Sequence, residues 1–153
     1  MTVIRGMTAG DTDAVLKLAA ETPEAPNWDR AVYERMITAE GGASRATWAH
    51  QEGQQLQGFA VAHSAAGLCE LESIVVAKSA RRKGIGRSLL GAVAAWALAK
   101  GAQKVELEVR ASNESAIAFY LSAGFRREGL RRSYYREPDD DAVLMGKPMS
   151  SDD

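Results

Sequence analysis

The segment from Leu68 to Arg110 constrains the fold more than any other part of the sequence. It begins with LCELESIVVA, which ends in a β-branched run typical of a strand buried on both faces. A turn containing Gly84 and Gly86 then leads into a long apolar helix that Gly101 ends. KVELEV follows as a second strand. A strand, a helix and a strand in this order predict a crossover, with the two strands parallel.

The elements before this unit are predicted from helical spacing and turn signals. TVIRG is typical of a short strand, and DTDAVLKLAAE of a helix with Asp11 as its N-cap. Asn27 is predicted to cap a second helix, WDRAVYERMITAE, which Gly41 and Gly42 stop. RATWAHQ and LQGFAVAHS predict two strands of a hairpin around EGQQ.

The elements after the unit complete the pattern. NESAIAFYLSA predicts a helix that Gly124 closes, and AVLMGKPM predicts a final strand. Because only one crossover interrupts the hairpins, we predict an α/β (α+β) fold. Its central sheet is mixed and mostly antiparallel, with one parallel pair and about four flanking helices. A chain of 153 residues is one domain of ordinary size, so we expect a single domain over residues 1–149 and a frayed tail at 150–153.

The balance of charged residues limits which kinds of partner the protein is expected to attract. The formal net charge is −1, from 19 basic and 20 acidic residues, so no global field attracts nucleic acid or an anionic membrane. Cys69 is the single cysteine, which excludes an intramolecular disulfide and predicts a buried thiol in a reducing compartment. MTVIRGMTAGDTD does not resemble a signal peptide, and the apolar run from Leu89 to Ala99 is too short to span a bilayer. We therefore expect a cytoplasmic protein without a membrane partner.

The turn KSARRKGIG has the parts of a local anion site. Gly84 and Gly86 lack a Cβ, so the backbone is expected to adopt positive φ and to approach a ligand closely. Free N–H groups and the dipole at the start of the helix favour a phosphate group. Arg82, Lys83 and Arg87 add positive charge. The alternative is a solvated basic turn whose glycines serve only its geometry.

Two nucleotide-binding motifs fit this turn poorly. A P-loop ends in Gly-Lys-Ser/Thr, which the turn lacks. In the dinucleotide fingerprint Gly-x-Gly-x-x-Gly, Leu89 occupies the place of the third glycine, although Glu106 and Glu108 lie about twenty residues further on, where a ribose-binding carboxylate is expected. Leu89 would hold the helix and strand apart, and the residues after Glu108 are too few to complete a doubly wound sheet.

The strand KVELEVR and the helix after it carry the candidate catalytic groups. Glu106, Glu108 and Arg110 share one face of the strand, where charged groups inside a sheet need a cavity or partners. Asn113 and Tyr120 lie two turns apart on one stripe of the next helix. The alternatives are a solvated strand face and a tyrosine that merely belongs to the core.

SIVVAKSARRKGIGRSLL resembles motif A of the GNAT superfamily of acyltransferases, Arg/Gln-x-x-Gly-x-Gly/Ala. The resemblance implies a GNAT fold and implies that the anion is the pyrophosphate of acetyl-CoA, used as a cosubstrate. It also implies that the backbone of the preceding strand contacts the pantetheine arm. The expected cofactor-binding residues here are Ile74, Val75, Val76, Arg81, Arg82, Lys83, Gly84, Ile85, Gly86 and Arg87.

LEVRASNESAIAFYLSAGFRREGLRRSYY, followed by DDDAVLM, resembles the RimI subgroup, which acetylates the N-terminal alanine of a ribosomal small-subunit protein. The match runs from about Leu71 to Met145. It implies that Glu108 is the general base, directly or through water, that Tyr120 is the general acid toward the departing thiolate, and that Asn113 contacts the cofactor. The substrate-binding residues implied on the acceptor side are Trp28, in APNWDRAVY, and Tyr134 and Tyr135.

The implied chemistry needs no metal. An α-amine has a pKa of about 7.7–8.0, so one carboxylate with an ordered water is enough to deprotonate it, whereas a lysine near 10.4 is much harder. Tyr120, with an ordinary pKa near 10, is expected to protonate the thiolate. Backbone N–H groups of Ile74–Val76 are expected to hold the developing oxyanion. His50 and His63 lie in the hairpin strands without metal-ligand spacing and are interpreted as surface or core residues.

Two rival functions remain open. The first is a GNAT that acetylates a small free amine or a lysine side chain, and the second is a non-catalytic acyl-CoA-binding module. RREGLRRSYYRE also has a pattern typical of nucleic-acid binding, because arginines interleave with tyrosines. The acidic EPDDDA that follows argues against nucleic acid, and we expect the segment to close an acceptor groove instead.

Overall fold

The computed structural model describes residues 2–38, 44–136 and 138–149. The strands are β1 (Thr2–Arg5), β2 (Arg45–Glu52), β3 (Gln55–Ala65), β4 (Leu68–Val76), β5 (Lys104–Arg110), β6 (Arg126–Tyr135) and β7 (Asp140–Pro148). The α-helices are α1 (Thr12–Ala20), α2 (Arg30–Ile37), α3 (Ile85–Ala99) and α4 (Glu114–Ser122). Short 3-10 helices cover Ala9–Asp11 and Lys78–Ala80. The expected helix stop at Gly41 and Gly42 and the expected frayed tail at 150–153 lie outside the described residues.

The strands form one sheet in the order β1-β2-β3-β4-β5-β7-β6. Every neighbouring pair is antiparallel except β4 and β5, which α3 connects as a crossover. The predicted mixed sheet with one parallel pair is therefore confirmed. Strand β6 was not recognised as a strand, because nearly all of its side chains are exposed at the sheet edge and give no apolar alternation.

The parallel pair separates soon after it forms. Its register runs from Leu68↔Lys104 to Glu70↔Glu106, although both strands continue beyond these residues. Strand β4 also carries a bulge at Glu72, because its pairing with β3 passes from Ala62↔Leu71 to Val61↔Ser73. The result is a gap in the middle of the sheet.

Two apolar clusters cover opposite faces of the sheet. Alternate residues of β3 divide between them: Ala60 and Ala62 face α3 and α4, while Phe59 and Val61 face α1 and α2. Strand β5 contributes Val105, Leu107 and Val109 only to the α3–α4 cluster. Its charged residues therefore face the α1–α2 side of the sheet.

One predicted helix cap is wrong, and the other is confirmed in its position but does not cap the helix through its side chain. Asp29, not Asn27, caps α2, because its Oδ1 accepts a hydrogen bond from Val32 N at 3.1 Å and the helix begins only at Arg30. Asp11 precedes α1, but its carboxylate accepts hydrogen bonds from Arg5 at 2.8 Å and from Thr8 N at 2.7 Å instead of from the helix.

Within the described ranges, no helix is both long and apolar enough to cross a membrane.

Candidate active site

A cleft of about 910 Å³ opens where β4 and β5 separate. Its walls come from the end of α1, the loop before α2, strands β4 and β5, helix α4 and the end of β6. Seven of the predicted site residues line it: Trp28, Ile74, Glu108, Asn113, Tyr120, Tyr134 and Tyr135. The gap in the sheet therefore brings together side chains that are far apart in the sequence.

Glu108 and Tyr120 reach the cleft from opposite faces of the sheet. Glu108 lies on the face of β5 opposite Leu107 and Val109, on the α1–α2 side. Tyr120 belongs to α4 and packs in the cluster on the other side. Both side chains line one cavity only because the strands between them do not pair. The cavity is therefore lined by side chains from both faces of the sheet.

Glu108 sits among cationic and phenolic partners. Its carboxylate is half-buried and lies 3.5 Å from a guanidinium nitrogen of Arg131. The carboxylate is also near Tyr134, whose pKa it raises because negative charge disfavours a phenolate. Arg131 itself stacks over the Tyr134 ring, 5.2 Å from the centroid. Arg131 was not predicted as a site residue, because it lies on the unrecognised strand β6.

Tyr120 is buried, and this changes one expectation. Its side chain is 7% exposed and packs edge-on against Phe119 and Phe125. Burial, and then the nearby Tyr135, raise the pKa of Tyr120 well above its usual value. The expectation of an ordinary pKa near 10 was therefore wrong, because the sequence does not show how deeply the phenol is desolvated.

Tyr134 and Tyr135 form the wall of the cleft at the end of β6. Their rings meet edge-on at 5.1 Å, and Arg110 stacks over Tyr135 at 4.4 Å. Arg110 also donates hydrogen bonds to the carbonyls of Pro138 and Arg136, which fixes its guanidinium. Burial, followed by the charge of Glu108, raises the pKa of Tyr135 to about 12. Both rings are therefore neutral, amphipathic surfaces at physiological pH.

The glycine turn lies beside the cleft and outside its lining residues. Gly84 has φ of 80° and precedes α3 as its N-cap, as expected for a position that favours glycine. The same expectation was wrong for Gly86, which does not adopt positive φ. A Cβ at Gly86 would stand 3.3 Å from Phe119 Cζ, so this glycine allows α3 to approach α4.

The cations of the turn have different surroundings. Arg81 lies 3.7 Å from Glu24 and donates to the carbonyl of Val76 at 3.4 Å, which ties the turn to the α1–α2 loop and to β4. Arg87 donates to Ser122 Oγ at 2.8 Å and so links α3 with α4. Arg82 and Lys83 are exposed to solvent.

Four predicted cofactor contacts belong to β4 and to the start of α4. Ile74 lines the cleft, whereas Val75 is buried in the α1–α2 cluster and Val76 packs against the α3–α4 cluster. Asn113 uses its side-chain oxygen to cap α4, accepting from Ala116 N at 3.2 Å. Its amide nitrogen remains a potential donor to a ligand.

Sequence reasoning did not identify three polar residues of β4 that line the cleft. Glu70, Glu72 and Ser73 all line it. Arg45 binds the Glu72 carboxylate through two hydrogen bonds of 2.8 and 3.0 Å. The alternation in LCELES is a signal that could have identified the two glutamates, whereas the bulge that follows cannot be read from the sequence.

The cysteine and the two histidines do not line the cleft. Cys69 is buried as predicted, and burial raises the pKa of its thiol to about 11, so the reactive thiolate is disfavoured. His50 and His63 lie in β2 and β3. Among the residues that the structure describes, no group of three or more histidines, cysteines and carboxylates could hold a metal ion.

The sequence matches the pattern of the family described as "Acetyltransferase (GNAT) family" over residues 12–125. It is 37% identical over 98 residues to the [Ribosomal protein bS18]-alanine N-acetyltransferase of Escherichia coli K12. The aligned segment covers 63% of this chain and 66% of that protein. It is 45% identical over 76 residues to the N-alpha-acetyltransferase RimI of Mycobacterium tuberculosis, covering 50% of this chain and 46% of that protein.

The fold is similar to a solved relative. The crystal structure of the ribosomal-protein-S18-alanine N-acetyltransferase from Escherichia coli superposes with a TM-score of 0.84 at 28% identity, covering 98% of this chain and 95% of that chain. The chain spans less than two thirds of the length of the curated relatives it matches.

Proposed function

The chain belongs to the GNAT family of acetyltransferases, and we propose that it transfers the acetyl group of acetyl-CoA to the N-terminal amine of a protein. The observation that carries this proposal is the single cleft that Glu108 and Tyr120 enter from opposite faces of the sheet. A base on one side and a proton donor on the other suit an amine that attacks from one face and a thiolate that departs toward the other.

The glycine turn is the proposed site for the pyrophosphate of acetyl-CoA. The first N–H groups of α3 begin directly after Gly84, and apart from its chain neighbours no described residue has an atom within 4 Å of the place where a Cβ of Gly84 would stand. The exposed Arg82 and Lys83 add local positive charge to a chain of nearly zero net charge. These features fit an anionic, backbone-bound group.

Strand β4 is the proposed site for the pantetheine arm. Beyond Glu70 its edge toward β5 is not paired with that strand, so backbone groups from Leu71 to Val76 face the gap. Such groups bind the amides of an extended ligand as a further strand would. Bound acetyl-CoA supplies a thioester, which is an activated acyl donor; the chain's task is to hold it beside the amine.

Glu108 is the proposed general base. Its carboxylate lines the cleft and lies 3.5 Å from a guanidinium nitrogen of Arg131. An α-amine with a pKa of about 7.7–8.0 is within reach of a carboxylate acting directly or through water, whereas a lysine near 10.4 costs about 3 kcal/mol more to deprotonate at neutral pH. This difference favours an N-terminus as the acceptor.

Tyr120 is the proposed proton donor to the departing thiolate. Because burial raises its pKa, the hydroxyl stays protonated throughout the neutral and mildly alkaline range. It therefore stabilises the thiolate first as a hydrogen-bond donor, and proton transfer follows only as negative charge develops on sulfur.

The acceptor proposed is the N-terminal alanine of a ribosomal protein, which would place the reaction in the cytoplasm. Support comes from the similarity to two N-terminal acetyltransferases. Trp28, Tyr134 and Tyr135 line the cleft and offer flat amphipathic walls to a peptide. Asn113 contributes its amide nitrogen as a donor on the cofactor side.

The experiment is incubation of the protein with acetyl-CoA and a library of proteome-derived N-terminal peptides, with products identified by mass spectrometry. We expect acetylation of peptides beginning with alanine and loss of product with Glu108→Gln. Acetylated lysines, polyamines or free amino acids without acetylated N-termini would instead support the small-amine or lysine rival. Binding of coenzyme A without any turnover would support the non-catalytic module.

A further inference from the structure

Ser73 is a buried polar residue that the family resemblance does not assign to the site. Its residue surface is 7% exposed, and its Oγ has no hydrogen-bond partner among the described residues. Buried hydroxyl groups are normally bonded, so an orphan of this kind needs an explanation. Ser73 is also a lining residue of the cleft. The unpartnered hydroxyl therefore belongs to the wall of the proposed site.

The bulge in β4 sets the position of Ser73 along the gap. The last parallel pair is Glu70 with Glu106, so Leu71 stands level with Leu107. The bulge then places Glu72 and Ser73 together opposite one position of β3, which brings Ser73 to the level of Glu108. Without the bulge, Ser73 would lie one residue further along the strand.

Ser73 and Glu108 also share a face of the sheet. Ser73 lies two residues before Val75, which packs in the α1–α2 cluster, so both point to that side. Glu108 faces the same side, because its neighbours Leu107 and Val109 pack in the opposite cluster. Glu72, the other bulge residue, is already bound by Arg45. Ser73 is thus the uncommitted group across the gap from the proposed base.

We propose that Ser73 Oγ accepts a hydrogen bond from the acceptor α-amine and so fixes the direction of its attack. A neutral primary amine carries two N–H groups and one lone pair. If Glu108, or its water, takes one N–H and Ser73 the other, the lone pair is left to face the thioester. This inference rests on the proposed function and adds an acceptor-binding residue to it.

The test is the steady-state kinetics and thermal stability of Ser73→Ala. We expect kcat/KM for an N-terminal alanine peptide to fall about 3- to 10-fold, as for loss of one neutral hydrogen bond. The KM for acetyl-CoA should not change. The melting temperature should be equal to or above that of the wild type, because the variant removes a hydroxyl that has no partner among the described residues. Ser73→Thr, which keeps the hydroxyl, should restore most of the activity.

Ser64→Ala is the matched control, since Ser64 is a buried serine in β3 that does not line the cleft; it should leave peptide kinetics unchanged. Wild-type kinetics in Ser73→Ala, a raised KM for acetyl-CoA, or a loss of activity that parallels a lower melting temperature would each overturn the role of Ser73 while leaving the proposed function intact. If the wild type acetylates no amine at all, both the proposed function and this inference are overturned.

Discussion

At the residue scale, burial assigns the two proposed catalytic groups to different tasks. Glu108 is half-buried and lies beside Arg131, so its charge is balanced within the cleft. Tyr120 is almost wholly buried among aromatic rings, so its proton is held tightly. A carboxylate suits the acceptance of a proton, whereas a phenol that stays neutral suits hydrogen-bond donation to a developing thiolate. The same cleft therefore contains a proposed base and a proposed acid whose environments differ.

Replacement of Tyr120 by phenylalanine tests the acid. We expect turnover to fall by about 10²-fold or more, as is typical for loss of a general acid, with little change in acetyl-CoA affinity. The ring contacts remain, so the fold should be retained. Tyr33→Phe is the control, because Tyr33 is a buried tyrosine of the opposite cluster that does not line the cleft. Unchanged turnover in Tyr120→Phe would remove Tyr120 from the mechanism.

At the element scale, the site depends on how strands and helices are held against one another. Arg5 and Asp11 tie β1 to the start of α1 through paired hydrogen bonds of 2.8 Å. Gly58 lets β3 and β4 approach α3, and Gly86 lets α3 approach α4. The residues that make these contacts are not among those that line the cleft.

The Arg5–Asp11 pair predicts a pH dependence of stability. The hydrogen bond from Arg5 is the largest cause that lowers the pKa of Asp11 below its ordinary value of 3.8. A carboxyl group with a lowered pKa in the folded state stabilises the fold above its unfolded pKa and loses that contribution as the pH falls through its folded pKa. Asp11→Asn should therefore lower the free energy of unfolding at pH 7 by about 1–3 kcal/mol, and by less below pH 4.

Urea unfolding of Asp11→Asn and of the wild type, at pH 7 and below pH 4, measures the difference in their free energies of unfolding. Asp13→Asn is the control, because Asp13 pairs with Arg30 at an exposed position, where ion pairs contribute little to stability. A difference for Asp11→Asn that grows as the pH falls would contradict the assignment.

Gly58 is predicted to be intolerant of a methyl group. A Cβ there would stand 2.8 Å from the carbonyl oxygen of Val75 and 3.3 Å from side-chain atoms of Ile85 and Leu89. Gly58→Ala should destabilise the fold by about 1–3 kcal/mol, since the backbone of β4 must shift. By contrast, Gly91→Ala in α3 meets no atom within 4 Å and should stabilise the helix by about 0.5–1 kcal/mol. Thermal denaturation of both variants separates the effect of a steric clash from the effect of removing a glycine. Equal changes in melting temperature would contradict the clash at Gly58.

At the scale of the whole molecule, the electrostatics of cofactor binding are expected to be local. The net charge is −1, so the protein as a whole does not attract the anionic acetyl-CoA. The cations of the glycine turn must supply the attraction, next to a cleft that also contains several glutamates. Exposed charges of this kind are screened by salt within about 10 Å at 0.1 M.

The whole-molecule prediction concerns ionic strength. The KM for acetyl-CoA should rise severalfold as salt is increased, and the double variant Arg82→Gln, Lys83→Gln should show a higher KM with a flatter salt dependence. Lys100→Gln is the control, because Lys100 is an exposed cation at the other end of α3. A salt dependence that the turn variant leaves unchanged would show that these cations do not bind the cofactor.

The sequence by itself determined the features that depend on neighbours along the chain. The crossover around α3, the positive φ at Gly84, the alternation on β5 and the motifs that resemble the GNAT family are all local patterns, and they predicted the parallel pair and the family. The charged face of β5 predicted a cavity, although the residues that complete it could not be named.

Only the tertiary structure determined which side chains lie together around the gap between β4 and β5. The depth of the split between β4 and β5, the bulge that brings Ser73 level with Glu108, and the burial that raises the pKa of Tyr120 arise from contacts between distant segments. Strand β6 owes its structure to pairing with β7 and not to its own apolar pattern, so Arg131 beside Glu108 was hidden as well. Local periodicity determines which elements form, whereas pairing and packing over long sequence distances determine which side chains share a cavity.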